Sequence, residues 1–232
     1  APPGLDKIRR AGLPQGHSLL AIGPTGCGKT IMGSSFLRAG VERGEKGVIM
    51  CFEKGTARLR NAELAAMVQA GQVAVVESRQ IDMSFEEFED ELLAAIARSS
   101  ARRVVIDSLS EFSLYLAPEC RRNLREGVFR ILSSLAKRDV SALVTVGLDE
   151  RSVDMNVARA DMAYLTDAVV AMRYAEDDGH MKRYISVVKV RGSSHSHDVR
   201  EYRITDDGIE IDPLPAQVNG VLYGRAGVKS AG

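Results

Sequence analysis

The stretch Gly23-Pro24-Thr25-Gly26-Cys27-Gly28-Lys29-Thr30 fits G-x-x-x-x-G-K-[ST], and it stands between an apolar run at residues 18–22 and a helical pattern at residues 29–40. With glycine near 7% of residues, such a match arises by chance in very roughly one chain of this length in a hundred. A strand before and a helix after are the context that a phosphate-binding loop requires. The glycines let the backbone curl so that the amides of Thr25, Gly26, Cys27 and Gly28 face phosphate oxygens. The N-terminus of the following helix adds the positive end of its dipole. In this arrangement Lys29 reaches the β- and γ-phosphates and the Thr30 hydroxyl ligates Mg2+. The alternative is a glycine-rich turn with an incidental lysine.

Such a loop is held by a parallel sheet, and the chain supplies the strands for one. Apolar runs at residues 47–52, 72–77, 103–106 and 142–146 read as buried strands, with helical patterns between them. Ser84 with Glu87 fits a capping box that opens a helix running to about residue 97. Residues 118–137 read as one further helix, with Leu124, Val128, Ile131, Leu132 and Leu135 on one stripe. The final third changes character. Residues 167–174 and 182–190 read as a hairpin about Glu176-Asp177-Asp178-Gly179, and strands at 199–204 and 209–212 follow about Asp206-Asp207-Gly208. The expected fold is α/β: a mostly parallel central sheet flanked by helices, with antiparallel strands added at the C-terminal end. The 232 residues are expected to form a single domain, with a core at about 4–213 and a Gly-rich tail at 214–232.

Charge and cysteine usage narrow the function classes. Lys+Arg and Asp+Glu both number 31, so bulk electrostatics offers no case for nucleic acid or a membrane surface. No run approaches the roughly 18 apolar residues of a membrane-spanning helix. The start, Ala1-Pro2-Pro3-Gly4, carries no charged-then-apolar leader pattern, and a cytoplasmic location is expected. Three cysteines, Cys27, Cys51 and Cys120, form no C-x-x-C pair, and the four histidines form no H-E-x-x-H pattern. A disulfide framework and a structural zinc site are therefore not expected. Cys27 and Cys51 read as small packing residues near the loop.

Three other positions suit the same chemistry. Asp107 ends the run Arg103-Val104-Val105-Ile106. An acid at the carboxyl end of a buried strand faces the crevice where α/β sheets bind ligands, and it fits a Walker B acid on Mg2+. Glu53 follows the strand ending at Phe52. It is either a carboxylate that orients or deprotonates the attacking water or hydroxyl, or an ordinary solvated acid. In Lys189-Val190-Arg191-Gly192-Ser193-Ser194-His195, alternation sends Lys189 and Arg191 to one side of a strand. That pair is either an exposed basic edge or a phosphate clamp or arginine finger, supplied to the chain's own site or to a neighbour's.

Taken together, these pieces resemble the RecA-like ATPases of the KaiC family. The resemblance covers nearly the whole chain. It rests on Gly4-Leu5-Asp6-Lys7-Ile8, on Gly12-Leu13-Pro14-Gln15-Gly16 before the loop, on Phe52-Glu53 and on Val104-Val105-Ile106-Asp107-Ser108-Leu109-Ser110. Its most specific part is Val187-Val188-Lys189-Val190-Arg191-Gly192-Ser193-Ser194-His195, continued by Arg200-Glu201-Tyr202-Arg203-Ile204-Thr205-Asp206-Asp207-Gly208. It implies ATP and Mg2+ held between adjacent subunits of a ring, usually a hexamer, with hydrolysis at the interface and Glu53 as catalytic acid/base. Lys189, Val190, Arg191, Ser193 and His195 would then reach the nucleotide held by the next subunit, with Thr205 and Asp206 near its base or ribose and Arg191 as a finger in trans. Clock-like or signalling regulation, with Kai-type or other signalling proteins as partners, belongs to the same implication.

The chain departs from the family pattern in three places. Lys54 stands where the family often has a second glutamate, residues 55–72 are shorter than the family's helical segment, and Ala163-Tyr164 replaces the phosphorylated Ser-Thr pair before Thr166-Asp167. The run at 106–110 and the tail Asn219-Gly220-Val221-Leu222-Tyr223-Gly224 look more like the second of the two domains in the tandem proteins, so the chain is either a single-domain relative or half of a longer one. Three rival readings use the same loop: an autophosphorylating Ser/Thr kinase, a recombinase-type DNA-binding ATPase, and an ATP-dependent assembly module with little turnover.

Overall fold

A computed structural model describes residues 14–52, 61–77, 81–148, 164–177, 179–192, 198–205 and 208–216. Its strands are β1 (Ser18–Pro24), β2 (Lys46–Cys51), β3 (Val73–Glu77), β4 (Ala101–Asp107), β5 (Ser141–Leu148), β6 (Ala168–Asp177), β7 (His180–Val190), β8 (Val199–Thr205) and β9 (Gly208–Ile211). They form one sheet in the order β3-β2-β4-β5-β1-β6-β7-β8-β9. Strands β1 to β6 run parallel, and β7, β8 and β9 are added antiparallel. This is the RecA-type arrangement expected from the sequence.

The parallel strands read as unbroken apolar runs because both faces are covered. On one face Phe88, Leu92, Ile131, Leu132 and Leu135 pack against Val48, Met50, Val104, Ile106 and Val144. On the other, Met32, Phe36 and Leu37 pack against Leu19, Ile49, Val105 and Leu143, and the same layer runs on to Met172, Ile185, Tyr202 and Ile209. Helix α1 (Lys29–Val41) therefore lies under both the parallel core and the antiparallel extension. Helix α3 (Phe85–Ser99) starts at the capping box anticipated from Ser84 and Glu87.

The helical segments between β3 and β5 differ from the sequence expectation. Residues 118–137 do not form one helix: α5 (Pro118–Arg121) is a single turn, and α6 (Leu124–Ala136) begins after Asn123, whose ψ of 21° with φ −109° breaks the helical path. A helix the apolar pattern did not reveal, α4 (Leu109–Tyr115), follows Asp107 directly. Ser108 caps it by accepting from the Glu111 amide, and Leu109 and Phe112 turn inward at i, i+3 spacing. Within the stretch read as short, α2 (Ala62–Gln69) is capped by Asn61.

Among the sequence-stretch expectations, residues 1–13, Glu53, Lys54, Ala163, Ser193, His195, Asp206 and the tail from 217 lie outside the described residues. No described helix is long and apolar enough to cross a membrane.

Candidate functional site

Parallel strands send their carboxyl ends to one edge of the sheet, and β1, β2, β4 and β5 all end there. β1 delivers the loop at residues 23–30. Gly26 and Gly28 take left-handed backbone conformations, φ 79° and 97°, that other residues rarely adopt. Packing crowds two glycines as well, with backbone at Gly23 and a side-chain methyl at Gly28. A Cβ at Gly23 would stand 2.7 Å from the Met172 carbonyl oxygen, and one at Gly28 would stand 2.9 Å from the Ile204 Cδ1. Thr25, Gly26 and Thr30 face solvent, whereas the Cys27 side chain is buried in the core. Cys27 therefore offers a ligand only its backbone. Burial pushes its thiol up, with Lys29 opposing, which keeps the sulfur protonated and inert.

The Lys29 ammonium folds back onto the loop, donating to the carbonyls of Gly23 (2.8 Å) and Pro24 (2.7 Å). Thr30 Oγ1 donates to Asp107 Oδ2 at 2.7 Å. The expected pair thus meets across the sheet, although β5 lies between their strands. Register adds a second partner: Ile106 pairs with Val144, which sets Asp107 opposite Thr145. Thr145 Oγ1 donates to the other carboxylate oxygen, Oδ1, at 2.5 Å. Asp107 is therefore gripped by two hydroxyls, one from the loop helix and one from the buried strand. A carboxylate and a threonine hydroxyl side by side are hard oxygen donors of the kind Mg2+ takes alongside waters and phosphates. Among the described residues no group of three or more His, Cys, Asp or Glu side chains could hold a metal by themselves.

Next along this edge, Phe52 is fixed at the end of β2. Its ring packs on Phe88 (5.8 Å between centroids), Phe112 (5.2 Å) and Tyr115 (5.6 Å), and the Tyr115 hydroxyl donates to the Phe52 carbonyl at 2.5 Å. β2 neighbours β4, with Cys51 opposite Asp107. The residue from which Glu53 continues is thus held rigidly beside the Asp107 strand end.

Lys189, Val190 and Arg191 lie elsewhere. Val190 pairs with Ala168, and Ala168 pairs with Leu19, so all three sit at the amino end of β1, away from the loop at its carboxyl end. Four to five strand residues at about 3.3 Å each separate the levels by roughly 15 Å. Val190 packs into the core. Lys189 Nζ donates to the Thr166 carbonyl at 3.0 Å, and Arg191 Nη2 donates to the Tyr164 carbonyl at 2.7 Å. Both cations therefore reach the same turn before β6, as alternation implied. Burial, then the Arg191 charge, lowers the Lys189 ammonium from its usual range, and Asp167 partly offsets this.

Thr205 parts from that pair. β8 runs parallel to β1, so Thr205 lies at the loop end of the sheet, and its hydroxyl donates to the Gly208 carbonyl at 3.3 Å. The resemblance implies that both the pair and Thr205 serve a neighbouring subunit's nucleotide, and within one chain they lie apart. The two groups occupy opposite ends of the β7–β8 pair because those strands are antiparallel.

Sequence reasoning overlooked two residues at the site. Thr145 is the lone hydroxyl within the apolar run at 142–146, which was the available signal. Tyr202 is 2% exposed, and its hydroxyl donates to the Cys27 carbonyl at 2.5 Å. No sequence spacing links residues 175 positions apart.

The description "ATPase: KaiC" matches residues 2–216 of this chain. Over 226 residues the chain is 29% identical to a circadian clock protein KaiC3 of Synechocystis, covering 95% of this chain and 44% of that protein. It is 27% identical to a circadian clock oscillator protein KaiC of Thermostichus vulcanus, covering 95% and 43%. With a KaiC of Picosynechococcus the identity is 28% over 213 residues, covering 89% and 41%. The chain spans less than half the length of these relatives. A phosphate-binding loop, its facing acid and a match running almost from end to end converge on one conclusion: the chain belongs to the KaiC ATPase family.

Proposed function

We propose that the protein is a Mg2+-dependent ATPase whose nucleotide sites are completed between adjacent copies in a head-to-tail ring. The observation that carries this reading is the division of labour within one chain. The loop, Thr30 and Asp107 form one end of the sheet, and Lys189 and Arg191 form the other, too far apart for Arg191 to serve its own loop. Stacking copies head to tail brings the cationic end of one chain to the loop end of the next.

In that arrangement the loop amides hold the β- and γ-phosphates, and Lys29 exchanges the Gly23 and Pro24 carbonyls for phosphate oxygens. Thr30 and Asp107 are the residues that would hold Mg2+, which when bound supplies charge neutralisation between the β- and γ-phosphates. Thr145 keeps the Asp107 carboxylate in place. Glu53 accepts the proton of the water that attacks the γ-phosphorus. As that bond forms, the bond to the β–γ bridging oxygen breaks and ADP leaves. Arg191 of the neighbouring copy offsets charge on the transferring group, with Lys189, Ser193 and His195 beside it. Thr205 and Asp206 serve the base or ribose of the nucleotide. Catalysis is then mainly positioning and electrostatic stabilisation. The relatives carry circadian-clock names, and a site that depends on a neighbour's cation suits a timing or signalling role.

The test is light scattering after size exclusion, with and without ATP and Mg2+, with phosphate release assayed in the same fractions. Nucleotide-dependent assembly together with phosphate release supports the reading. Assembly without release favours an assembly module, γ-phosphate retained on the protein favours an autokinase, and a monomer with full turnover contradicts the interfacial site.

A further inference from the structure

The loop peptide joining Cys27 to Gly28 is anchored from outside the loop. Its carbonyl accepts the buried Tyr202 hydroxyl from β8, and Ile204, two residues on and on the same side of the strand, puts its Cδ1 within 2.9 Å of where a Gly28 Cβ would be. A trans peptide is planar, with its C=O and N–H pointing in opposite directions. Fixing the Cys27 carbonyl on β8 therefore aims the Gly28 amide away from β8, to the opposite side of the loop. The loop needs this restraint because Gly28 and Gly26, both at positive φ, could otherwise let the peptide plane rotate. On β6, level with Tyr202, Tyr174 puts its hydroxyl 3.1 Å from where a Gly26 Cβ would be.

We propose that Tyr202 is a positioning residue for phosphate binding: its hydroxyl holds the Cys27–Gly28 peptide in the orientation that turns the Gly28 amide toward the phosphates. The inference rests on the proposed nucleotide site, but the orientation of the peptide can be tested without nucleotide. Burial keeps the phenol protonated across the working pH range, so the donor is always available. The anchor carries no charge and touches no phosphate, so it acts on every phosphate ligand alike. Its loss changes uniform binding rather than the chemical step.

The experiment compares the full chain with its Tyr202→Phe variant in two ways: amide hydrogen exchange of residues 25–30 without nucleotide, and affinity for Mg2+-ADP and Mg2+-ATP with turnover at saturation. The expected result is about tenfold faster exchange at the Gly28 amide and about tenfold weaker binding of both nucleotides, with kcat within about twofold. A variant with lower thermal stability but unchanged Gly28 exchange and nucleotide affinity assigns Tyr202 a packing role only and overturns the proposal. Should the wild-type chain bind neither nucleotide, the ATPase reading fails, and the exchange comparison alone still decides the role of Tyr202. Should the variant fail to fold, fluorinated tyrosines placed at position 202 carry the test. Gly28 exchange that follows the donor strength of the hydroxyl supports the proposal, and exchange indifferent to it overturns it.

Discussion

The two ends of the sheet solve opposite problems. At the carboxyl end of β1, the described charged groups of the candidate site have partners supplied by the same chain: Lys29 rests on two loop carbonyls, and Asp107 on Thr30 and Thr145. At the amino end, Lys189 and Arg191 approach each other over the turn before β6, where neutral carbonyls at Thr166 and Tyr164 receive them. Burial, and after it the Arg191 charge, lowers the Lys189 ammonium from its usual range, with Asp167 opposing. In the proposed reading the first end exchanges its internal partners for a phosphate, and the second presents its cations to a neighbouring copy.

Substitutions can break or sharpen this contrast. The largest effect is expected at the loop end. Lys29→Ala should reduce phosphate release to background and abolish tight ATP binding, and a variant that retains full turnover removes the loop from the chemistry. At the other end, Arg191→Ala should lower turnover by about a thousandfold or more while ATP affinity stays within a few-fold. Affinity and turnover measured on the same preparation separate the two ends: loss of both marks the loop, and loss of turnover alone marks the finger. Thr145→Val should lower turnover or Mg2+ affinity by about tenfold, because it removes one of the two hydroxyls that orient Asp107. An unchanged Mg2+ titration would make Thr145 a packing residue.

The smallest effect is expected at the α3 cap, which touches neither the loop nor Asp107. Ser84→Ala removes the α3 cap and should cost about 1 kcal/mol in denaturant unfolding with turnover unchanged. Within the same cap, the Ser84 amide holds the Glu87 carboxyl below its usual range. That contribution is present above the ordinary carboxylate range and is lost as pH falls through the lowered folded value. Turnover that falls along with this stability would mean that destabilisation alone explains the other variants.

Much of this was legible in the residues, and the reasons are physical. A buried parallel strand is an unbroken apolar run, so β1, β2, β4 and β5 stand out, and the loop follows from one spacing rule. The Ser84–Glu87 box is a local exchange of hydrogen bonds and was readable as such. What was hidden depends on distant partners or on small local breaks. The split at Asn123 lies just ahead of the apolar stripe, where no buried residue marks the break, and α4 is too short for its periodicity to show. Thr145 meets Asp107 only through the strand register. Tyr202 meets Cys27 only because β8 folds back over the loop helix. The opposite placement of Thr205 and Arg191 follows from the antiparallel turn between β7 and β8, whereas the sequence shows them merely as neighbours in one run.

The central claim is that each nucleotide site takes its loop from one chain and its arginine from the next. Mixing Lys29→Ala subunits with Arg191→Ala subunits tests it most directly. Each variant is inactive alone, but a random equimolar ring joins an intact loop to an intact arginine at about a quarter of its interfaces. The account predicts that phosphate release recovers to about a quarter of the wild-type rate after the subunits are exchanged. A mixture no more active than the two variants measured separately, in rings shown to contain both, would contradict it.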